Sequence, residues 1–257
     1  MQCQAEDVLR IEKEGLDVKQ VAGVSVNPVT ADCLLNNFWD NPDGIEEGSD
    51  TGIWYIQNGA NSGVGRMVTQ IGRMQGFRGI SVIRGRKNKE EEEALRKEML
   101  DLGAHKCVTD AELAQKGFKD QIQEWLNGGR DKLKLGLNCV GGDAALGMAK
   151  LLSNGATMVT YGAMGRAPLK IPTSMLIFKD LRFTGFWVSQ WAQKNPEDKK
   201  LAVERILALY REGNLKESPT VDVRWDWDTK GETLVEAVQG TLEGYRKGKG
   251  MFVFGET

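Results

Sequence analysis

The chain has 257 residues, of which 40% are apolar and 27% charged, a composition typical of a folded globular protein and not of a disordered tail. Its 34 basic and 36 acidic side chains give a formal net charge of −2, so the chain has no basic excess for binding a nucleic-acid backbone. No apolar run approaches the roughly 18 residues of a membrane span. The first fourteen residues include four acids, unlike a signal or transit peptide, so we expect no targeting segment in this sequence.

The rarest residue types argue against two kinds of catalytic site. The single histidine, His105, and the well-separated cysteines Cys3, Cys33, Cys107 and Cys139 have none of the ligand spacings typical of zinc sites. A Ser-His-Asp triad would need His105, which stands at a predicted helix-to-strand turn, so we interpret it as a partly exposed structural residue. Scattered, unpaired cysteines fit a reducing compartment.

The predicted elements begin sparsely and then alternate. Residues 7–11 predict a short strand, residues 18–38 a helical stretch interrupted at Asn27-Pro28, and residues 41–52 a polar, Gly-rich loop. β-branched runs then alternate with helical periodicity, which predicts strands at 53–58, 79–84, 106–110, 133–140, 156–162 and 181–189, and helices at 63–76, 89–103, 110–127 and 143–153. A helix at 196–212 follows, and then a strand, a helix and a strand at 220–227, 230–245 and 250–254.

This alternation predicts an α/β fold with a parallel sheet covered by helices on both faces. A parallel strand pair needs a crossover long enough to contain a helix, and the helical stretches here have that length. Ligands of open α/β sheets bind beyond the carboxyl ends of the strands. We therefore look for chemistry in the segments that follow the predicted strands.

The turn after the first strand of this alternation, residues 57–65, is rich in small residues. It departs from the strict GxGxxG pattern, because aligning Gly65 with the third glycine places Ala60 and Ser62 where the first two belong. Small residues let the backbone approach a pyrophosphate, whose charge suits the positive end of the following helix. The alternative is a Gly-rich turn without a ligand.

The end of the next strand distinguishes between two cofactors. An acid at this point binds the ribose 2′-hydroxyl of NADH, whereas an arginine suits the 2′-phosphate of NADPH. Arg84 lies 19 positions after Gly65 and is followed by Gly85, Arg86 and Lys87, with no acid before residue 90. The cluster of cations favours NADPH. The alternative is a basic surface loop.

Glycines and aromatic residues follow the later strands. Gly141, Gly142, Gly162 and Gly165 permit close approach of the backbone to a flat ring. Three aromatic residues, Phe186, Trp187 and Trp191, lie at or near the end of the last strand of the alternation. By composition alone, such residues are more often part of a core or a subunit interface than in contact with a cofactor. No residue of the chain is a convincing proton donor for reduction of a double bond conjugated to a carbonyl.

Several motifs together resemble the medium-chain dehydrogenase/reductase superfamily, and more closely the zinc-independent mitochondrial trans-2-enoyl-thioester reductases. They are SVNPVTA (25–31), IQNGANSGVG (56–65), RGR (84–86), LNCVGG (137–142), ATMVTYGAM (156–164) and LIFKDLRFTGFWVSQW (176–191). The resemblance covers nearly the whole chain from about residue 5. Asp32 departs from it, because the family usually has a tyrosine there, and the loop at 41–52 is longer and more acidic than the family pattern.

The resemblance implies NADPH-dependent reduction of trans-2-enoyl thioesters of acyl carrier protein or coenzyme A in mitochondrial fatty-acid synthesis, by a homodimer in the matrix, with no nucleic-acid or membrane partner. It places Asn27 near the nicotinamide and implies pyrophosphate contacts by Asn61, Ser62, Gly63 and Val64. Arg84, Gly85 and Arg86 would bind the 2′-phosphate. Two segments would line the nicotinamide side, namely Tyr161, Gly162, Ala163 and Met164, and Phe186, Trp187 and Val188. Lys249, near the C-terminus, would also contact the cofactor.

The resemblance also implies a domain organisation. These reductases begin with a GroES-like catalytic domain that contains the proton-donating tyrosine, and this sequence starts near the last strand of that domain. We expect residues 1–15 and 213–257 to be remnants of it, on either side of a Rossmann NADPH-binding domain at 16–212. Because the tyrosine would lie upstream, we expect tighter binding of NADPH than of NADH but weak reduction of enoyl-CoA or none.

Three alternatives remain open. One is a quinone-type reductase of the same superfamily, which needs no dedicated protein acid. Another is a non-catalytic module that binds NADPH and dimerises through the apolar strand at 183–188. The third is a chain that fails to fold because the strands at 220–225 and 250–254 expose apolar edges.

Overall fold

A computed structural model describes residues 8–38, 52–242 and 248–254 of the chain. The chain divides into two units, Met1–Leu215 and Lys216–Thr257. The predicted acidic loop at 41–52 lies, except for its last residue, outside the described residues. None of the helices in the described ranges is long and apolar enough to cross a membrane.

The first unit contains a six-stranded, wholly parallel sheet in the order β3-β2-β1-β4-β5-β6. The strands are β1 (Ile53–Asn58), β2 (Arg78–Ile83), β3 (Lys106–Thr109), β4 (Lys132–Asn138), β5 (Thr157–Thr160) and β6 (Arg182–Gly185). Strands β1 and β2 are almost continuously buried, as expected for central strands that are covered on both faces. The predicted doubly wound α/β fold is confirmed, and the strand order reverses between β1 and β4.

Ten helices of the first unit surround this sheet in the described ranges. They are α1 (Val18–Gly23), α2 (Asn27–Asn36), α3 (Gly63–Met74), α4 (Lys89–Asp101), α5 (Asp110–Leu113), α6 (Phe118–Trp125), α7 (Gly142–Leu151), α8 (Thr173–Lys179), α9 (Val188–Lys194) and α10 (Pro196–Arg211). Several begin where the sequence supplies a capping side chain: Ser62 caps α3, Asn88 caps α4, and Thr109 caps α5 in a capping box with Glu112.

Some boundaries differ from the predictions. The helix expected at 110–127 is divided into α5 and α6, because Gly117 adopts φ +89° between them. Helix α8 occupies the proline-bounded connection, where no element was predicted. Strand β6 ends at Gly185, and the sequence predicted as its continuation starts α9. The described residues of the expected N-terminal strand, 8–11, form no strand.

The core lies on both faces of the sheet. Tyr55 of β1 faces a cluster that includes Leu34 of α2, Val68 of α3 and Ile206 of α10. The neighbouring Ile56 faces the opposite cluster, which includes residues of α6 and α7. Alternation along one strand therefore joins both helical layers to the sheet.

Asp32 is almost fully buried in α2. Its Oδ2 accepts a hydrogen bond from the guanidinium of Arg205 in α10. Its Oδ1 accepts a second hydrogen bond, of 3.0 Å, from Asn36. The buried charge is thus paired, and the pair joins α2 to α10.

The second unit is a strand-helix-strand arrangement. Strand β7 (Thr220–Trp225) pairs in parallel with β8 (Lys249–Phe254), and α11 (Gly231–Leu242) lies between them in sequence. Trp225 and Phe252 pack edge to face across the pair, with ring centroids 5.6 Å apart. Trp227 and Phe254 are largely exposed.

Candidate functional site

The chain turns tightly from β1 into α3 at the carboxyl edge of the sheet. The Ala60 N–H donates to the carbonyl of Val82 at the end of β2 (3.2 Å), and the Ser62 N–H donates to Gly59 (2.8 Å). The Ser62 hydroxyl caps α3 by accepting a hydrogen bond from the Gly65 N–H (3.2 Å). The predicted strand-to-helix turn is therefore held at both ends.

Gly65 is the position where this turn tolerates no side chain. A Cβ atom there would lie 2.4 Å from the Ala60 carbonyl oxygen and 2.7 Å from its Cα. The buried Gln57 amide joins β1 to α3, because its Nε2 donates to the Gly65 carbonyl (3.0 Å) and to the Thr69 hydroxyl (2.8 Å). Gly65 thus has the close-packing role of the third glycine in the dinucleotide fingerprint.

Asn27 lies at the other side of the same turn. It is the first residue of α2, and a Cβ atom on Gly63 would lie 2.4 Å from its side-chain Nδ2. The N-termini of α2 and α3 therefore meet at this edge. The structure brings together five of the predicted site residues here, namely Asn27, Asn61, Ser62, Gly63 and Val64, and all five are partly exposed.

Two buried amides join the strands where the strand order reverses. The Asn58 Nδ2 donates to the Asn138 Oδ1 across the ends of β1 and β4 (2.8 Å). The same Asn138 oxygen accepts the N–H of Gly141 (3.0 Å), and the Asn58 Oδ1 accepts the N–H of Cys139 (2.8 Å). The Asn138 Nδ2 donates to Thr160 on β5 (3.1 Å).

The sequence analysis did not select these two amides, although it contained a signal for them. Each is the last residue of a largely buried strand, IWYIQN or KLKLGLN. Such a residue, buried at the carboxyl edge, needs hydrogen-bond partners from the loops that follow the strands. Asn58 and Asn138 therefore position the loop that follows β4.

We predict that Asn138→Ala lowers the free energy of unfolding by about 2 kcal/mol, since it leaves the buried Asn58 amide and the backbone N–H groups of Val140 and Gly141 without their acceptor. Urea unfolding measured by circular dichroism would test this. Asn154→Ala is the matched control, because Asn154 is exposed and the contact it makes to Lys134 uses its backbone carbonyl. Equal stability of the two variants would contradict the assigned role of Asn138.

The segment 161–167 runs along residues 138–141 and completes the floor of the site. The Tyr161 N–H donates to the Asn138 carbonyl (2.9 Å), and the Met164 N–H donates to the Cys139 carbonyl (2.8 Å). Gly141 forms a bridge with Ala167. Gly162 and Ala163 lie between these contacts, while Met164 is 60% exposed. The segment 161–164, which was predicted to form part of the nicotinamide side, therefore contacts the loop that follows β4 through its backbone.

The Tyr161 hydroxyl lies within this floor. It is buried and has no hydrogen-bond partner of ordinary geometry among the described residues. Burial raises the pKa of Tyr161 well above its ordinary value, and the neighbouring Cys139 raises it further, while Ser62 lowers it. The pKa of the Cys139 thiol is itself raised by burial. Both groups therefore remain protonated at neutral pH.

The aromatic segment after β6 has a mixed environment. Phe186 is partly buried and packs edge to face on Phe38, with ring centroids 5.7 Å apart, and against Trp191 at 6.3 Å. Trp187 is 67% exposed, and Val188 begins α9. Phe186 therefore contributes to the core at this edge, while Trp187 is accessible.

The cations predicted to bind a 2′-phosphate follow β2 at the same edge of the sheet. Arg84 is exposed, and Gly85 and Arg86 are partly exposed. The Gly85 N–H donates to Asp110 Oδ1 (3.0 Å), and the Arg86 N–H donates to Glu92 Oε2 (2.8 Å). The loop conformation is therefore set by neighbouring carboxylates.

Two residues discussed in the sequence analysis, His105 and Lys249, are not part of this group at the carboxyl edge. His105 exchanges hydrogen bonds with Gly79, near the start of β2, and so lies at the amino edge of the sheet. Lys249 is the first residue of β8 in the second unit, and its predicted role stays a prediction. Across the described ranges, no group of three or more His, Cys, Asp or Glu side chains is placed to hold a metal ion.

The arrangement fits a dinucleotide. The first turn of α3 provides a positive helix end beside small residues, and a backbone-lined floor lies across the switch point. A basic loop lies about 20 residues further along the chain, where the 2′ group of the adenosine ribose is bound in this fold. The fold and site define a Rossmann-type dinucleotide-binding protein.

Comparison with known proteins identifies the family. The zinc-binding dehydrogenase family model matches residues 63–207, and the chain belongs to this family, within the medium-chain dehydrogenase/reductase superfamily. The mitochondrial enoyl-[acyl-carrier-protein] reductase of Yarrowia lipolytica is 38% identical over 247 residues. These residues are 96% of this chain but 61% of the relative, so the chain spans about three fifths of its length.

Solved structures agree with this assignment. The Etr1p complex with NADP and crotonyl-CoA is 35% identical and superposes with a TM-score of 0.81, covering 93% of this chain and 62% of the solved one. The mitochondrial 2-enoyl thioester reductase Etr1p/Etr2p heterodimer of Candida tropicalis is 36% identical with the same score and coverage. The resemblance to enoyl-thioester reductases is thus confirmed.

Proposed function

We propose that the chain binds NADPH at the carboxyl edge of its sheet. The observation that carries the proposal is the convergence of the α3 N-terminus, the amide-linked switch point and the loop at 84–86 on this one edge. The pyrophosphate would lie at residues 61–64, where the helix end favours negative charge. Arg84 and Arg86, with the backbone of Gly85, would bind the 2′-phosphate.

The nicotinamide would lie on the floor formed by residues 161–164, with residues 186–188 and Asn27 beside it. Tyr161 keeps its proton at neutral pH, so its hydroxyl is a hydrogen-bond donor in this floor. Lys249 is the remaining proposed contact with the cofactor. When bound, the cofactor supplies a hydride, and the residues of this chain hold its ring and phosphates in place.

We propose further that the chain functions in the reduction of trans-2-enoyl thioesters of acyl carrier protein or coenzyme A, in mitochondrial fatty-acid synthesis. The names of the relatives support this substrate class. In such a reaction the carbon β to the thioester carbonyl accepts the hydride, and the α carbon then takes up a proton. The described residues supply the cofactor side of this reaction.

Two further parts of the proposal concern assembly and location. We propose a homodimer in the mitochondrial matrix. Strand β6 is at the edge of the sheet, and large apolar side chains near it in sequence are exposed, including Ile177, Phe178 and Trp187. An open strand edge next to exposed apolar side chains suits pairing with a second copy.

Cofactor binding is the first test. Titration of the chain with NADPH and NADH, followed by nicotinamide fluorescence, should show at least about tenfold tighter binding of NADPH, since NADPH alone supplies a 2′-phosphate to the arginines. Equal affinities would contradict the proposed cofactor.

The reaction is tested separately. Pre-bound NADPH is mixed with crotonyl-CoA or with a quinone, and the absorbance of the reduced nicotinamide is followed. Oxidation by crotonyl-CoA supports the proposed reaction. Oxidation by the quinone alone favours the quinone-reductase alternative. Oxidation by neither restricts this chain to cofactor binding, which the expected weak or absent reduction of enoyl-CoA allows, whereas robust oxidation by crotonyl-CoA would contradict that expectation.

A further inference from the structure

Two carboxylates bind the backbone of the basic loop, defined as residues 84–86. The Arg86 N–H donates to Glu92 Oε2 (2.8 Å), and the Gly85 N–H donates to Asp110 Oδ1 (3.0 Å). Glu92 lies in the first turn of α4, and Asp110 begins α5. The loop is thus held from two separate helices.

Glu92 has little capacity left for a ligand. Its side chain is 8% exposed, and its second oxygen, Oε1, is 3.1 Å from the Lys89 ammonium and 3.7 Å from the Arg96 guanidinium. The Arg86 N–H, followed by Lys89, keeps the pKa of Glu92 below its ordinary value, so the carboxylate stays ionised at neutral pH. This acid follows the second strand but faces the loop backbone.

Gly85 lies between the two carboxylates. A Cβ atom there would be 3.5 Å from Glu92 Oε2 and 3.6 Å from Asp110 Oδ1. Because the backbone is fixed at Gly85 and Arg86, the points from which the Arg84 and Arg86 side chains extend are fixed as well. Pre-positioned cations lose less conformational freedom when they bind a phosphate.

We propose that Glu92 and Asp110 are positioning residues that determine the preference for a 2′-phosphorylated cofactor by holding the loop at 84–86. This inference rests on the proposed function of the site. It makes a prediction opposite to that of simple electrostatics: removing an acid near a phosphate site should strengthen anion binding by Coulomb's law, whereas loss of a positioning contact should weaken it.

The test uses two probes that differ only in the 2′-phosphate, 2′,5′-ADP and 5′-AMP, with calorimetric titration of the full chain. We expect Glu92→Ala to weaken binding of 2′,5′-ADP by about tenfold, corresponding to one charge-assisted hydrogen bond, and to leave binding of 5′-AMP within about twofold. Glu92→Gln keeps an acceptor for the Arg86 N–H and should retain most of the affinity. Glu91→Ala is the matched control, because Glu91 is exposed in the same helical turn and its substitution removes the same charge.

Asp110→Ala is an independent variant with the same expected direction, and it keeps the proposal testable if Glu92→Ala does not fold. Unchanged or tighter binding of 2′,5′-ADP by folded Glu92→Ala or Asp110→Ala would overturn the positioning role. If the unaltered chain itself shows no preference for 2′,5′-ADP over 5′-AMP, the proposed NADPH site is wrong and the inference falls with it. The two failures are therefore distinguishable.

Discussion

Gly65→Val is expected to abolish measurable NADPH binding and to lower the free energy of unfolding by about 3 kcal/mol, the upper part of the usual range for overpacking. The β carbon of the new side chain would lie 2.4 Å from the Ala60 carbonyl oxygen, and the atoms it meets belong to the backbone, which cannot rotate away. Helix α3 would have to move away from β1, and this would also disturb the hydrogen bond from Gln57 to the Gly65 carbonyl. Urea unfolding and fluorescence titration measure the two effects.

Gly23→Ala is the control for this substitution. Gly23 ends α1, a β carbon at this position would have no heavy atom within 4 Å, and the backbone conformation is open to other residues. Its substitution should change both stability and NADPH affinity little. Wild-type affinity in Gly65→Val would show that the turn between β1 and α3 is not where the pyrophosphate binds.

The double charge reversal Arg84→Glu/Arg86→Glu is expected to weaken NADPH binding by at least about 100-fold and to remove the preference over NADH. A hydrogen bond to a charged group contributes roughly 1.5–3 kcal/mol, so two lost contacts to a 2′-phosphate account for this factor. NADH has a hydroxyl at the same position, so its affinity should change by only a few fold. Paired titrations with both cofactors give the ratio directly.

A control with the same change in net charge separates local from overall electrostatics. Lys119→Glu/Lys200→Glu reverses two exposed cations on α6 and α10 and should leave the ratio of the two affinities near the wild-type value. If the Arg84/Arg86 variant keeps its preference for NADPH, the 2′-phosphate must be bound elsewhere.

Much of the sheet could be predicted because its signals are local. β-branched runs such as IWYIQN, followed by small residues and then by helical periodicity, predict a strand, a tight turn and a helix without any knowledge of distant residues. Caps such as Ser62 and Asn88 mark where α3 and α4 begin. These elements also carry most of the predicted cofactor residues.

Other features depend on partners that are far away in sequence. Asn58 and Asn138 are 80 positions apart, and neither residue type by itself indicates which partner it will have. Helix α8 buries Met175 but leaves Phe178 exposed. Its apolar residues therefore do not follow the periodicity that predicts a helix from sequence. The split between α5 and α6 at Gly117 interrupted a pattern that was otherwise continuous.

The basic loop is another feature that the sequence predicted only in part. The sequence contains Arg84 and Arg86 at the right distance from Gly65, which was enough to favour NADPH. It also contains Glu92 nearby, an acid that sequence spacing alone could not place. Only the fold shows this carboxylate facing the loop backbone, where it accepts the Arg86 N–H.

The sequence by itself determined the α/β class, the glycine-rich turn, the cationic loop and the family resemblance, because each depends on residue types at short, regular spacing. The tertiary structure decided the strand order, the amide pair at the switch point, the buried Tyr161 hydroxyl and the carboxylates behind the basic loop. These depend on the packing of strands and helices that are distant in the chain, since a buried polar group must find its partner wherever the fold brings one within reach.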